Sequence, residues 1–240
     1  MQERGLAAYI AEFVGTLLLV FFITAAVSIY VAAPTRLNPN PFIDFTVIGL
    51  VHLFALFVLI QTLAVVSGAH FNPAVTVAMT TLRQIKPADA VIYVVAQLAG
   101  AVAGALIVKL LLNNFPNADL VNYGAVGIGD RLDGKLLLGG LAEFIGTFVL
   151  VFTIMGVAVD PRSDRALGPL VIAVALGGSV MVLGPLTGAG LNPARAFGPA
   201  LVAWEWHGQA VYWIGPLLGA TAAGALWKFV LLPRDATNIA

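Results

Sequence analysis

The sequence contains an internal repeat, and this repeat restricts the possible folds more than any other feature. The motif Ala-Glu-Phe-Val-Gly-Thr at 11–16 recurs as Ala-Glu-Phe-Ile-Gly-Thr at 142–147, and Asn-Pro-Ala at 72–74 recurs at 192–194. Each copy holds three apolar stretches long enough to cross a bilayer. Because three is an odd number, the second copy must lie upside down relative to the first. Inverted repeats of this kind are typical of transport proteins.

Six stretches are predicted to be membrane-spanning helices, since a span needs about 20 mostly apolar residues. The composition agrees, because 60% of the residues are hydrophobic and only 10% are charged, against roughly a quarter charged in soluble domains. We predict an all-α membrane protein with one domain over 1–240, in which repeats at about 6–112 and 136–232 are joined by a loop at 113–135. The predicted spans are approximately 6–31, 42–66, 88–112, 136–159, 167–183 and 209–232.

Two further apolar stretches, at 73–82 and 193–204, are too short to cross the bilayer. Each begins with Pro directly after Asn, which is the usual order of a helix N-cap and the first helical residue. Non-helical backbone at membrane depth is tolerated only where it is buried in protein or lines a cavity. These stretches are therefore predicted to be re-entrant half-helices.

The polar residues exclude several classes of function. The 12 basic and 12 acidic residues give no net charge, so no polybasic face is expected to bind nucleic acid. The absence of cysteine excludes a cysteine nucleophile and thiolate zinc sites, and three histidines make a multi-histidine metal site improbable. No acid–base pair or nucleophile is apparent. We predict that the chain is not an enzyme and binds no cofactor, metal or nucleic acid.

Positive charges in the connecting segments predict the orientation in the membrane. They favour both termini in the cytoplasm, and the short termini and compact loops favour a prokaryotic cytoplasmic membrane. The cations predicted inside are Arg4, Arg83, Lys86, Arg162, Arg165, Lys228 and Arg234, and those predicted outside are Arg36, Lys109, Arg131 and Lys135.

The segments at 67–76 and 188–195 resemble the two signature loops of the aquaporins, or major intrinsic proteins. The likeness covers nearly the whole chain and includes both Ala-Glu-Phe-x-Gly-Thr helices. It implies an aquaporin-like fold of six transmembrane helices and two half-helices in a 3+3 inverted repeat. It also implies a homotetramer in the lipid bilayer, with one channel per subunit that conducts water and excludes protons and ions.

The resemblance assigns roles to both Asn-Pro-Ala motifs and to the loops before them. Asn72 and Asn192 are expected to meet in the pore, where they and the helix dipoles orient water and repel cations. The motifs are completed by Pro73, Ala74, Pro193 and Ala194. The expected row of pore carbonyls belongs to Gly68, Ala69, His70, Gly188, Ala189 and Gly190.

Glu12 and Glu143 are acidic residues inside predicted spans, where an ionisable group is costly unless it is paired. They could form a proton relay, or they could be matched structural braces that accept hydrogen bonds from the re-entrant loops. Their equivalent places in the repeat favour braces. Gln61 and Gln97 are predicted to be buried polar packing residues.

The resemblance places the selectivity filter at His52, Val180, Ala189 and Arg195. Orthodox water channels have Phe, His, a small residue and Arg at these places. A histidine followed by an aliphatic residue and Ala resembles the plant tonoplast intrinsic proteins instead. Arg195, directly after the second Asn-Pro-Ala, is the expected filter cation. Positions that separate water from glycerol channels match the water type at Ala196, Ala200, Tyr212 and Trp213.

Several functions stay open at this point. The first is a passive channel for water, with possible conduction of ammonia, urea or hydrogen peroxide. Alternatives are an aquaglyceroporin-type facilitator of neutral solutes, an alternating-access secondary transporter, and a structural membrane protein with a vestigial pore. The transporter is disfavoured because no coupling-ion cluster appears beyond the two glutamates.

Overall fold

The computed structural model describes residues 5–32 and 42–232, which form eight α-helices. Six of these helices are long and apolar enough to cross a membrane, as the sequence predicts. The α5 and α8 helices each continue into a π-helical turn, at Met155–Val159 and Trp227–Leu231. The helices are α1 (Leu6–Ile29), α2 (Phe45–Ser67), α3 (Pro73–Thr81), α4 (Pro87–Leu112), α5 (Leu136–Ile154), α6 (Gly168–Thr187), α7 (Pro193–Ala203) and α8 (Val211–Leu226).

A short antiparallel pair of two-residue strands separates α1 from α2 in the otherwise helical fold. The strands β1 (Val31–Ala32) and β2 (Phe42–Ile43) pair Val31 with Ile43. The α2 helix therefore begins three residues later than predicted. Its start is fixed by Asp44, whose Oδ1 accepts hydrogen bonds from the backbone N–H groups of Thr46 (2.9 Å) and Val47 (3.3 Å).

The direction of the chain defines two ends of the helix bundle. The terminus end is where α1 begins and α8 finishes, and the loop end carries the connection at 113–135. Arg4, Arg36 and Arg234, which contributed to the predicted orientation, lie outside the described residues. The other cations divide as the sequence suggests. Arg83, Lys86, Arg162, Arg165 and Lys228 lie at the terminus end, and Lys109, Arg131 and Lys135 lie at the loop end.

Two pairs of helices pack closely through glycines at equivalent places in the repeat. A Cβ atom added at Gly100 of α4 would collide with the carbonyl oxygen of Phe13 in α1, and one added at Gly104 would collide with that of Leu17. A Cβ at Gly219 of α8 would collide in the same way with the carbonyl oxygen of Phe144 in α5. Small residues at such contacts let helix backbones approach each other in a bilayer, where hydrophobic burial gives no net drive.

The outer surface of the bundle is apolar along the spans. Val65 is 90% exposed, Leu137 is 86% exposed and Leu110 is 79% exposed. Side chains of this kind on helices of spanning length are suited to contact with lipid acyl chains. The chain is therefore an integral, multi-pass membrane protein.

The glycine contacts generate a stability prediction. Gly104→Ala should destabilise the protein by about 1–3 kcal/mol, because the new methyl group meets backbone rather than a movable side chain. The measurement is the thermal unfolding midpoint of the purified protein in detergent.

The matched control is Gly178→Ala in α6, where an added Cβ meets no atom within 4 Å. This variant should be unchanged, or more stable by up to about 1 kcal/mol, because Ala favours helix over Gly. Equal midpoints for Gly104→Ala and the parent would contradict the close-packing interpretation.

Candidate pore and selectivity site

Both re-entrant segments have the same unusual backbone. After α2 ends, Gly68, Ala69 and Phe71 have positive φ angles, and after α6 ends, Gly188, Ala189 and Leu191 repeat the pattern. Positive φ is uncommon for residues with a side chain, and it persists only where the surroundings enforce it. The two segments are therefore held in place by specific contacts.

Glu12 supplies the contacts for the first segment. Its carboxylate is fully buried and accepts hydrogen bonds from the Ser67 hydroxyl (2.6 Å) and from the backbone N–H groups of His70 (2.9 Å) and Phe71 (2.7 Å). The two carboxylate oxygens share these donors. This geometry supports the brace interpretation over a proton relay.

Glu143 supplies the same contacts for the second segment. Its buried carboxylate accepts hydrogen bonds from the Thr187 hydroxyl (2.6 Å) and from the N–H groups of Gly190 (2.9 Å) and Leu191 (2.6 Å). The donors occupy the same places relative to the two glutamates. Each brace thus satisfies backbone donors that would cost several kcal/mol if left unpaired in a bilayer.

Gln97 is buried, as predicted, and adds a fourth donor to the first brace, a contact that the sequence did not indicate. Its Nε2 donates to Glu12 Oε2 (2.8 Å) and to Thr76 Oγ1 (2.9 Å), and Thr76 Oγ1 lies 3.1 Å from Nδ1 of His70. An amide within a spanning helix was the available signal. The prediction for Gln61 was wrong, because its side chain faces outward from α2 and is exposed.

A pair of tyrosines completes the two re-entrant turns. The Tyr93 hydroxyl donates to the carbonyl of Ser67, and the Tyr212 hydroxyl donates to the carbonyl of Thr187, both at 2.7 Å. These carbonyls end α2 and α6, where helical partners are missing. Tyr212, which the sequence marks only as a water-type position, therefore has a direct role in holding the second segment.

Asn72 and Asn192 join the two repeats by exchanging hydrogen bonds. Nδ2 of Asn72 donates to the carbonyl of Leu191 (2.9 Å), and Nδ2 of Asn192 donates to the carbonyl of Phe71 (2.8 Å). Each Oδ1 also caps its own half-helix. These oxygens accept from the N–H groups of Ala74 and Ala194, both at 2.9 Å, directly after Pro73 and Pro193. The α3 and α7 helices therefore start at the same place in the molecule.

Two cavities meet at Arg195. The first, of about 490 Å³, is lined by Asn72, Asn192 and Arg195 and reaches Arg165 at the terminus end. The second, of about 350 Å³, lies at the loop end, and Arg195 is the described residue that lines both. The other three predicted filter residues, His52, Val180 and Ala189, line neither cavity.

The predicted filter residues are all buried. His52 Nδ1 donates to the carbonyl of Ile48 (2.8 Å), which leaves Nε2 as an acceptor in the neutral ring. That Nε2 atom has no hydrogen-bond partner among the described residues. Val180 and Ala189 belong to one apolar cluster, so they contribute no polar side chain.

Arg195 itself is only 2% exposed. Its Nη1 donates to the carbonyl of Gly124 (2.8 Å), and its Nε atom has no partner within 5–32 and 42–232. No carboxylate among these residues forms an ion pair with it. A guanidinium with no ion-pair partner and a free donor beside two cavities is suited to contact passing polar molecules. Gly124 was not among the predicted site residues.

The carbonyl groups of the re-entrant segments are left for other partners. Among the described residues, no protein donor bonds to the carbonyls of Gly68 and Ala69, or to those of Gly188, Ala189 and Gly190. Gly68, Ala69, His70 and Gly190 line the first cavity, and Gly188 lines the second. Such carbonyls can accept hydrogen bonds from water in these spaces.

Comparisons with known proteins agree with this architecture. Residues 2–227 match the sequence model of the family Major intrinsic protein. The chain is 35% identical over 235 residues to the probable aquaporin TIP3-2 of Arabidopsis thaliana, covering 95% of this chain and 85% of that protein. It is also 35% identical over 233 residues to aquaporin TIP2-1 of the same plant, covering 95% and 88%. A solved aquaglyceroporin from Plasmodium falciparum superposes with a TM-score of 0.79 over 98% of this chain and 99% of that one. At 22% identity, it shows the fold alone.

The brace geometry predicts a graded response at Glu143. Glu143→Gln keeps one acceptor oxygen, which can serve Thr187 and Gly190, but its NH₂ group then faces the N–H of Leu191. One buried donor left unpaired costs about 1–3 kcal/mol, so this variant should be destabilised and still fold. Glu143→Leu loses all three bonds and should lose stability and solute flux together.

The measurements are thermal unfolding in detergent and solute flux per folded protein in proteoliposomes. Loss of flux in Glu143→Gln at parental stability would implicate ionisation and revive the proton-relay interpretation.

Proposed function

The chain belongs to the major intrinsic protein family, and we propose that it is a passive transmembrane channel that conducts water and excludes protons and ions. The observation that carries this function is the exchange of hydrogen bonds between Asn72 and Asn192 where two half-helices start beside a cavity. Relatives that are about a third identical over most of the chain are named aquaporins. Members of this family are channels, and the absence of an enzymatic activity stays a prediction.

Water is oriented by the two asparagine amides. Each Nδ2 group carries two hydrogens, of which one donates to the opposite segment and the other is available to the cavity. A water molecule there turns its oxygen toward both amides. The N-terminal ends of α3 and α7 add partial positive charge at the same place. The hydrogens of the water then point away from the centre in both directions, which interrupts proton transfer along the file.

The braces determine which backbone groups face the pore. Glu12 and Glu143 accept the N–H groups of residues 70–71 and 190–191, so the carbonyls in the same segments remain for water. A row of such acceptors replaces the hydrogen bonds that water leaves behind in bulk solution. Cations meet the charge of Arg195 and the positive helix ends, which oppose their entry.

The filter is proposed to admit small neutral solutes in addition to water. Val180 gives no hydrogen bond where an orthodox water channel has His, and Ala189 occupies little space. Water must therefore use Arg195, His52 Nε2 and nearby carbonyls, and an aliphatic wall discriminates only weakly among small neutral molecules. Ammonia, and also urea or hydrogen peroxide, are the proposed additional solutes.

The competing functions are less well supported. For an aquaglyceroporin the support is a structural likeness that shows the fold alone, while Ala196, Ala200, Tyr212 and Trp213 match the water type. A secondary transporter needs groups that bind a coupling ion. Glu12 and Glu143, two acids in the middle of spans, already accept hydrogen bonds from the loops.

The assembly and the membrane are also matters of proposal. We infer one domain of two inverted repeats, at about 6–112 and 136–232, because the braces, glycine contacts and asparagine exchange occur in matched pairs. A homotetramer with both termini in the cytoplasm is proposed from family membership and from the charges at the terminus end. The relatives described above are plant proteins, so they give no support to a prokaryotic cytoplasmic membrane.

The proposed function predicts the transport behaviour of the purified protein. In proteoliposomes, osmotic water flux should exceed that of empty liposomes and have a low activation energy, and no voltage-dependent ion current should appear. Stopped-flow light scattering at several temperatures measures the water flux and its activation energy. Planar-bilayer recording measures the ion current. Water flux with the temperature dependence of bare lipid would contradict a channel, and solute uptake coupled to protons would favour the transporter.

The filter assignment predicts a change in selectivity. The double substitution His52→Phe with Val180→His restores the orthodox residues, so it should lower ammonia flux by about tenfold while lowering water flux less. Ammonia entry is followed by the change of internal pH, and water by light scattering, in the same proteoliposomes. Equal ammonia rates in the parent, the double variant and empty liposomes would show that the filter is misassigned.

A further inference from the structure

The position of the Arg195 guanidinium depends on one loop carbonyl. Nη1 donates to the carbonyl of Gly124 (2.8 Å), and this is the side-chain hydrogen bond that Arg195 makes within the described chain. Hydrogen bonds from an ionised donor are stronger than neutral ones. If the Gly124 carbonyl moved, the guanidinium would be free to reorient within the two cavities that it lines. Contacts that fix the position of Gly124 therefore also fix the position of the Arg195 guanidinium.

Gly124 ends a strained stretch of loop. Asn122, Tyr123 and Gly124 have φ angles of 47°, 49° and 83°, three left-handed residues in succession. Gly124 is also pressed against α1, since a Cβ there would lie 2.8 Å from Cα of Thr24. Two adjacent residues with side chains in this conformation cost free energy and need external contacts to persist. The side chain of Tyr123 makes one such contact.

Lys109 makes that contact. It lies in the last turn of α4, and its ammonium group stands 5.6 Å from the ring centroid of Tyr123, within the range of a cation–π interaction. The same group donates to the carbonyl of Val202 (3.0 Å) in the last turn of α7. Carbonyls at a helix C-terminus lack helical donors and carry partial negative charge, which favours a cation there.

These contacts form one continuous arrangement. Arg195 lies near the start of α7, and Lys109 contacts the end of the same helix. Lys109 also contacts Tyr123 in the loop, and the next residue of that loop, Gly124, has the carbonyl that binds the Arg195 guanidinium. We propose that Lys109 is a positioning residue of the filter, which fixes Tyr123 against the end of α7 and thereby the Gly124 carbonyl that anchors Arg195. This inference rests on the proposed role of Arg195 in the water filter.

An ordinary anchoring lysine at the membrane interface is the alternative, and the chain offers a matched example. Lys228 also lies near an aromatic ring, 5.7 Å from the centroid of Phe229, but this ring belongs to the adjacent residue at the terminus end of the molecule. Within the described part of the chain, no hydrogen bond or ion pair joins Lys228 to the loop or to α7. Lys228→Met is therefore the control for loss of an interfacial cation beside an aromatic ring.

The test uses Lys109→Met, which keeps an apolar side chain of similar length and removes the ammonium group. Its water permeability per folded protein should fall about fivefold, because the released guanidinium enters the lumen. Lys109→Arg should restore most of the flux, since a guanidinium can both donate to a carbonyl and stack on a ring. Lys228→Met should behave like the parent.

A background substitution separates positioning from general stability. In Arg195→Ala protein, Lys109→Met should cause no further change in the ratio of water to ammonia flux, because the residue that it positions is gone. Tyr123→Leu, which removes the ring and leaves the Val202 hydrogen bond, provides a second route if Lys109→Met does not fold. It should also lower water flux only when Arg195 is present.

The outcomes distinguish this inference from the function on which it rests. A parent that conducts no more water than empty liposomes would overturn the proposed function and the inference with it. A conducting parent with parental flux and selectivity in both Lys109→Met and Tyr123→Leu would overturn the inference alone. The inference alone would also be overturned if Lys109→Met lowered the water flux equally with and without Arg195.

Discussion

The structure depends on two buried carboxylates that hold irregular backbone inside the membrane. A non-helical segment at this depth has N–H and carbonyl groups that neither lipid nor a helix can satisfy. Glu12 and Glu143 accept hydrogen bonds from the backbone N–H groups at 70–71 and 190–191. Each also accepts one from a hydroxyl group at the end of the helix that precedes the segment. Because the backbone N–H groups of each segment point toward a glutamate, the carbonyl groups of that segment point toward the cavities. The same bonds that stabilise the fold therefore create the polar lining of the pore.

Both repeats have a glutamate brace, but the residues around the brace differ between the two ends of the molecule. In the first repeat, Gln97 and Thr76 extend the brace toward His70, so the terminus side of the pore has a continuous polar network. In the second repeat, the residue after Asn-Pro-Ala is Arg195, which binds the loop carbonyl of Gly124. The near-symmetric fold thus carries the proposed filter on one side. In this proposal, selectivity depends on residues that the symmetry does not duplicate.

Much of this arrangement could be predicted from the sequence, because its signals are local or repeated. Apolar length gives the six spans, and Asn followed by Pro gives the starts of α3 and α7. The contacts that escaped prediction join residues far apart in the chain, such as Gln97 with Glu12 and Arg195 with Gly124. Gln61, which is predicted to be a buried packing residue, lies instead on the outer face of α2. The predicted start of α2 is three residues too early, because the apolar residues Phe42 and Ile43 form β2 and the helix begins only after its N-cap Asp44.

The central claim is that water passes between the two asparagines and along the carbonyls freed by the glutamate braces. Diffraction from crystals of the protein, at a resolution that shows ordered water, tests this directly. The account predicts a water oxygen within hydrogen-bond distance of Nδ2 of both Asn72 and Asn192, continuous with a file of waters along residues 188–190. It would be contradicted by a dry region closed by apolar side chains between the asparagines and Arg195, with the carbonyls of 188–190 bonded to protein donors.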